Sequence, residues 1–279
     1  MYIVRLSSGL GNQLFMYAFY LHLKRKSYEN IYFDDKYFKH DSFGRKPELS
    51  IIFPNYPVFN FKFNPAGERG LKRRCYQFVQ KKFPRFHYVD ETDYDDKIIY
   101  KDNTYFSGYW QKDDFICNND LSHFVPKEEI PTILKPYLEL INNTLNAVSI
   151  HFRRKDFFSP ENIHRFGVCK EDYYQKAMNK LESELTELTY FVFSDDIDWV
   201  KENIYFSHQY VIIPNFSINS FWYIYLQSLC KHNIISNSTF SWWGARLNTN
   251  KNKIVIAPSK WMLDTENSIV LEDWQKIKI

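Results

Sequence analysis

The 279-residue sequence predicts an α/β protein built on parallel sheets. Three observations lead there. In the C-terminal half, short β-branched or aromatic runs alternate with longer amphipathic ones. The chain opens with a strand, a glycine turn and a helix of the same kind. Arginine, carboxylate and hydroxyl residues recur directly behind the strands, which is where doubly wound sheets bind ligands.

Tyr2 to Leu6 reads as a strand, Ser7 to Gly11 as a turn, Asn12 to Lys26 as a helix and Ile31 to Phe33 as a second strand. From Lys36 to Asn103 the sequence is rich in Phe, Tyr, Pro and Lys with no sustained period, and loops with short helices are expected there. Ala147 to Phe152 is a buried strand, Glu171 to Leu185 a helix, Thr189 to Phe193 a strand and Asp196 to Asn203 a short helix. Gln209 to Ile213 is a strand closed by Pro214, Ile218 to Cys230 a helix, Asn233 to Ser236 a strand, Phe240 to Leu247 a helix, and Lys253 to Ala257 a last strand. Five strands separated by helices imply one parallel, doubly wound sheet. Two domains are expected, residues 1–140 and 141–279, each long enough for its own core.

Hydrophobic residues make up 44% of the chain and aromatic ones 19%, which fills a core and leaves rings for stacking on sugars or bases. Cys75, Cys117, Cys169 and Cys230 form no C-x-x-C pair, so neither a zinc site nor a disulfide framework is indicated and a reducing, cytoplasmic setting is expected. The opening residues lack a secretory pattern, and no apolar run reaches the roughly 18 residues of a membrane span. A net charge of only +3 argues against nucleic acid as a partner. Between Phe61 and Val89, however, eight Lys or Arg face one acidic residue, Glu68. Residues 62–85 form either a solvated helix face or a peripheral contact with anionic lipid at the inner face of a membrane.

The strand-end rule selects four places: Arg153 to Asp156, Ser194 to Asp196, Pro214 to Ser217 and Asn237 to Ser241. Alternation along a strand points His151 and Arg153 to one face, while Arg154 turns to the other or leaves the strand. A guanidinium fork matches diphosphate oxygens and stays charged at any working pH, so Arg153 and Arg154 suit a diphosphate; a surface Arg–Asp156 pair is the alternative. Of Ser194, Asp195 and Asp196, the first carboxylate is expected to cap the next helix and the other to accept from a base, guanine offering adjacent donors. Asn237, Ser238, Thr239, Phe240 and Ser241 place hydroxyls and an amide at a helix start that would welcome phosphate. Trp242 and Trp243 cannot both face the core of one helix, so at least one is expected to line a cleft or an interlobe contact. Gly9, Gly11, Asn12 and Gln13 form a turn that lets backbone approach a ligand, or a purely structural turn.

Several of these blocks together resemble a known family: Gly9-Leu10-Gly11-Asn12-Gln13-Leu14-Phe15, Gly108-Tyr109-Trp110-Gln111, His151-x-Arg153-Arg154-x-Asp156, Phe193-Ser194-Asp195-Asp196, and Asn237 through Ala245. The sequence is similar to the bacterial α-1,2-fucosyltransferases of glycosyltransferase family 11, in order from residue 3 to about residue 262. The resemblance implies a GT-B fold of two Rossmann-like lobes with the nucleotide-sugar site in the cleft between them. It also implies inverting transfer of L-fucose from GDP-β-L-fucose to the 2-hydroxyl of a terminal galactose, in surface-glycan or O-antigen synthesis, on an acceptor that is in some cases lipid-linked. The resemblance also implies that neither cofactor nor metal is needed, which fits the absence of a spaced Asp-x-Asp, Asp195 and Asp196 being adjacent. By similarity Arg153 assists departure of the diphosphate and Asn12 holds the glycosidic oxygen or the acceptor hydroxyl. Gly9, Gly11, Gln13, His151, Arg154, Asp156, Ser194, Asp195 and Asn237 to Ser241 would contact the donor. The acceptor contacts are not identified, and Asp34, Asp35, His40, Asp41 and Glu48 are all candidates for the general base. The chain departs from the family pattern at Ser8 (commonly Gly), Met16 (Gln), Lys155 (Gly) and Arg246 (a bulky apolar residue). Other regiochemistry, or a non-catalytic nucleotide- or carbohydrate-binding protein of the same fold, are the rival readings.

Overall fold

A computed structural model of the chain describes residues 1–59, 85–154, 168–262 and 269–279. The chain divides into two compact units, Met1–Lys127 and Glu128–Ile279. The division falls earlier than residue 140 because helix α2 (Lys135–Asn143) belongs to the second unit, packing on its helix α5 (Phe221–Leu229).

The first unit holds a parallel four-stranded sheet among the described residues. Its strands are β1 (Tyr2–Arg5), β2 (Ile31–Asp34), β3 (His87–Asp90) and β4 (Thr104–Ser107), in the order β2-β1-β4-β3. Helix α1 (Leu10–Arg25) crosses from β1 to β2 and is buried on every side along most of its length. A helix apolar all round belongs at the centre of its unit. Phe19 stacks on Trp110 with centroids 3.8 Å apart, and meets Phe106 edge-on. Strands β3 and β4 correct the sequence reading. Only Val89 of β3 is turned even partly inward, so it shows no apolar alternation, and β4 is just four residues long.

Among the described residues of the second unit six parallel strands run β10-β9-β8-β5-β6-β7. They are β5 (Asn146–Phe152), β6 (Leu188–Ser194), β7 (Gln209–Ile212), β8 (His232–Ile234), β9 (Val255–Pro258) and β10 (Gln275–Ile277). The five expected strands are present, and three residues of β10 add a sixth at the edge. Helices α3 (Glu171–Glu184), α4 (Ile197–Asn203), α5 and α6 (Thr239–Leu247) connect them. Tyr173, Tyr174, Met178 and Leu181 of α3 pack on Val148, Ile150, Val192 and Ile234 of the sheet in one buried core. The order reverses between β5 and β8, and the carboxyl ends of those strands mark the crevice where such sheets bind ligands.

Trp242 and Trp243 overturn an expectation: both are fully buried. Helix α6 is covered on two sides. Trp242 donates its Nε1–H to the Ile269 carbonyl (2.7 Å) and meets Trp274 at 5.8 Å, so the C-terminal segment covers the side that α5 does not. No helix among the described residues is long and apolar enough to cross a membrane.

Candidate functional site

The carboxyl ends of β5, β6 and β7 enclose a pocket of about 230 Å³ lined by His151, Arg153, Phe193, Ser194, Asp195, Ile213, Asn215, Phe216, Ile218, Ser220, Tyr223 and Phe240. All four stretches selected by the strand-end rule contribute to it. Arg153 leaves β5 on the side that His151 faces. Its Nη1 lies 3.2 Å from Asp195 Oδ2, and 30% of its side chain remains exposed. A guanidinium paired with a carboxylate yet partly open to solvent is placed where an incoming anion can meet it.

His151 is buried, and its Nδ1 is 2.9 Å from Ser236 Oγ. Burial, reinforced by the Arg153 charge, lowers its pKa to about 3, so it is a neutral imidazole at working pH. Phe240 lies over it at 5.4 Å and presents an apolar wall. The opposite wall is tied down by Asn215, which donates to the Ser194 carbonyl (3.0 Å), and by Tyr223, whose hydroxyl accepts from Phe216 N–H (2.5 Å). Sequence reasoning located the loop after β7 without naming Asn215 or Phe216. It missed Ser220 and Tyr223, which sit at a helix start with no strand-end signal.

Other expected residues fall elsewhere. Arg154 does not line the pocket. Its guanidinium lies 3.4 Å from the centroid of the Trp199 ring, and its Nε is 3.5 Å from Asp196 Oδ2. The cap falls to the second carboxylate and not the first: Asp196 caps α4 by accepting from Trp199 N–H (3.4 Å), whereas Asp195 accepts from Arg154 N–H (2.9 Å) and pairs with Arg153. The Ser194 hydroxyl accepts from Asp196 N–H (2.9 Å). Asn237 is buried, donating to the Trp261 carbonyl (3.5 Å) and accepting from Cys169 Sγ (3.6 Å). Ser238 caps α6 through Phe240 N–H (3.4 Å), Thr239 is half-buried in the first turn, and Ser241 is buried against Ser236 and two carbonyls. Of this block only Phe240 lines the pocket, because the hydroxyls and the amide build the turn itself. Asp156, Lys155 and residues 62–84 of the basic stretch lie outside the described residues.

In the first unit, the turn after β1 puts Ser8 at φ 66°, a left-handed conformation that explains why glycine is common there. Gly9 opens α1, Gly11 is buried in its first turn, and a Cβ added at Gly9 would meet nothing within 4 Å, which leaves room beside the helix start. Asn12 is pinned from two sides: its Nδ2 donates to Ser8 Oγ (2.9 Å), and its Oδ1 accepts from Gln111 Nε2 (2.8 Å). Gln111 is delivered by the turn after β4, where Glu91 accepts from Tyr109 N–H and Trp110 N–H (2.8 Å). A Cβ on Gly108 would come within 2.4 Å of Glu91 Oε2, so that turn closes only over glycine. Gln13 is not a ligand contact. It is fully buried, donates to the Ser8 and Lys46 carbonyls (3.0 Å each) and accepts from Glu48 N–H (2.9 Å).

The family model for glycosyl transferase family 11 matches residues 71–278. The chain belongs to this family. It is 29% identical over 296 aligned positions to the O-antigen biosynthesis glycosyltransferase WbnK of Escherichia coli, spanning 96% of this chain and 98% of that one. It is 31% identical over 290 positions to an alpha-1,2-colitosyltransferase of Escherichia coli, spanning 93% and 91%. Among solved structures, NodZ alpha-1,6-fucosyltransferase soaked with GDP-fucose superposes with a TM-score of 0.52 at 15% identity, over 88% of this chain and 91% of that one. Fucosyltransferase NodZ from Bradyrhizobium gives 0.52 at 13%, over 88% and 92%. That likeness shows the GT-B type of fold. The family 11 chain is thus a glycosyltransferase, and its pocket lies at the carboxyl ends of β5, β6 and β7, beside the switch point of the second unit's sheet.

Proposed function

We propose that the chain is an inverting, metal-independent galactoside α-1,2-fucosyltransferase that takes L-fucose from GDP-β-L-fucose for surface-glycan or O-antigen synthesis. One observation carries the reading: Arg153 stands at the carboxyl end of β5, held by Asp195, in a pocket with a neutral His151. Departure of GDP develops negative charge on the β-phosphate. A cation about 4 Å away contributes about 4 kcal/mol at an effective dielectric of 20, which lets an arginine act in place of a metal. The pocket volume, below the usual 300–1,000 Å³ of small-molecule sites, suits one moiety of the nucleotide-sugar, with the rest crossing Arg153.

Asn12, its amide oriented by Ser8 and Gln111, has one N–H left to hold the glycosidic oxygen or the acceptor hydroxyl. Burial, and then the charge of Asp34, raises the carboxyl of Asp35, one of the candidate bases. We assign it the acceptor proton. Asp41 is already committed to Tyr37 and to two backbone N–H groups.

A second donor is favoured by the relative named alpha-1,2-colitosyltransferase: colitose, which lacks the 3-hydroxyl of fucose. A site that hydrogen-bonds this hydroxyl rejects the deoxy sugar strongly, whereas a site that ignores it accepts both. The test is incubation of the purified protein with GDP-fucose or GDP-colitose and a panel of β-galactosides, followed by linkage analysis. An α-1,2-fucosyl product is expected. GDP binding without glycosylation of any acceptor would favour the non-catalytic reading.

A further inference from the structure

We propose that the first unit carries an anion-recognition subsite, built on Arg5 and Tyr37, that selects acceptor saccharides bearing an acidic group. The proposal rests on the transferase reading above. Arg5 ends β1 and is paired in register with Asp34, on the sheet face that also carries Tyr105 and Tyr88. That neighbouring carboxylate does not take the guanidinium. Asp34 is buried, accepting from the Tyr105 hydroxyl (2.8 Å) and from Lys36 N–H (3.2 Å). Among the described residues Arg5 has no ion-pair partner, and its buried Nε has no hydrogen-bond partner. A buried donor left unmade costs about 1–3 kcal/mol, and Arg5 as a whole residue is only half-buried.

The surroundings suit an acidic sugar. The Arg5 guanidinium sits over the Tyr37 ring, 5.6 Å from its centroid, and the Tyr37 hydroxyl donates to Asp41 Oδ1 (2.7 Å). Asp41 Oδ2 also accepts from Phe43 N–H (3.2 Å) and Arg45 N–H (2.8 Å), so one carboxylate orders the loop carrying Tyr37 and Arg45. Asp41 has its charge spread over these donors, and Arg45 lies within electrostatic reach of Tyr37, as does Tyr109. Tyr109 and Tyr88 remain 40% and 48% exposed, offering ring faces to a pyranose. A planar fork beside an aromatic face matches either a carboxylate on the saccharide or a phosphate at its reducing end.

The experiment compares kcat/KM for three acceptors with one β-galactoside core: neutral, carboxylate-bearing and reducing-end phosphorylated. The wild type should prefer an acidic acceptor by about tenfold, the worth of one charge-assisted hydrogen-bonded pair. The acidic arm that shows the preference identifies its source. Arg5→Gln should abolish the preference and Arg5→Lys should keep part of it, with neutral-acceptor turnover and the KM for GDP-fucose unchanged. Equal rates on all three acceptors, uniform loss in Arg5→Gln, or a change confined to GDP-fucose would overturn the proposal. Titration of the acidic saccharides by saturation-transfer NMR reads the subsite without turnover. Binding abolished by Arg5→Gln supports it, and no binding overturns it. Missing turnover with this binding intact counts against the transferase reading alone.

Discussion

The guanidinium of Arg154 lies 3.4 Å from the centre of the Trp199 ring, while that of its neighbour Arg153 enters the pocket against Asp195. Two consecutive arginines at one strand end therefore separate into one packed on α4 and one that lines the pocket. Alternation along β5 sends them to opposite sides. A desolvated cation–π pair contributes about 2 kcal/mol, enough to commit Arg154 to α4.

This separation predicts unlike mutational effects. Trp199→Leu and Arg154→Ala should each lower stability by about 1–2 kcal/mol in urea unfolding, with kcat reduced by less than about tenfold. Arg154→Ala abolishing turnover with unfolding unchanged would place Arg154 at the phosphate instead.

Gln111 orients Asn12 from a turn that closes only over Gly108. Gln111→Leu should reduce kcat about tenfold by freeing the Asn12 amide while GDP affinity, read by calorimetry, stays constant. Gly108→Ala should act in the same direction by displacing Glu91. A Gln111→Leu variant with full activity would show that Gln111 does not orient Asn12 for turnover.

At Ser8, glycine would relieve a left-handed backbone costing roughly 1 kcal/mol, but it would lose the hydrogen bond from Asn12 and raise unfolded-chain entropy, each of similar size. Ser8→Gly should therefore destabilise by about 1 kcal/mol despite matching the family pattern. Measured stabilisation would show that the Asn12 contact adds nothing.

His151, His22 and His232 all have lowered pKa values, with burial as the first cause. Below about pH 6.5 the unfolded chain binds protons there that the folded chain refuses, so stability falls as pH drops from 6.5 toward 3 and is fully present above 6.5. Each fully refused proton steepens the loss by about 1.4 kcal/mol per pH unit. Asp41, Asp96 and Asp172, whose carboxyls are lowered, act in the same direction only below about pH 4. Urea midpoints should decline between pH 6.5 and 4.5, and His151→Asn should flatten that slope. A midpoint independent of pH over this range would contradict the buried, neutral assignment.

Much of the second unit was legible because parallel strands buried on both faces, such as β5 and β6, are seven-residue runs dominated by apolar and aromatic residues. The strand-end rule then located the pocket without side-chain detail. Strands β3, β4 and β10 were missed, being three or four residues long at or near sheet edges. Within the site, polar type misled where the turn needed the same groups: Asn237 and Ser241 look like phosphate contacts, yet their hydrogen bonds close the loop that presents Phe240. Arg5 carried no signal, since its missing partner becomes visible only once Asp34 is seen bound to Tyr105.

The most direct test measures GDP release from GDP-fucose with a β-galactoside, in excess chelator, for the wild type and Arg153→Ala. Undiminished wild-type turnover and a loss of about 10²–10³ in kcat for Arg153→Ala are predicted, the size expected for one preorganised electrostatic group. Turnover abolished by the chelator, or an Arg153→Ala variant as fast as the wild type, would contradict an arginine standing where other transferases use a metal.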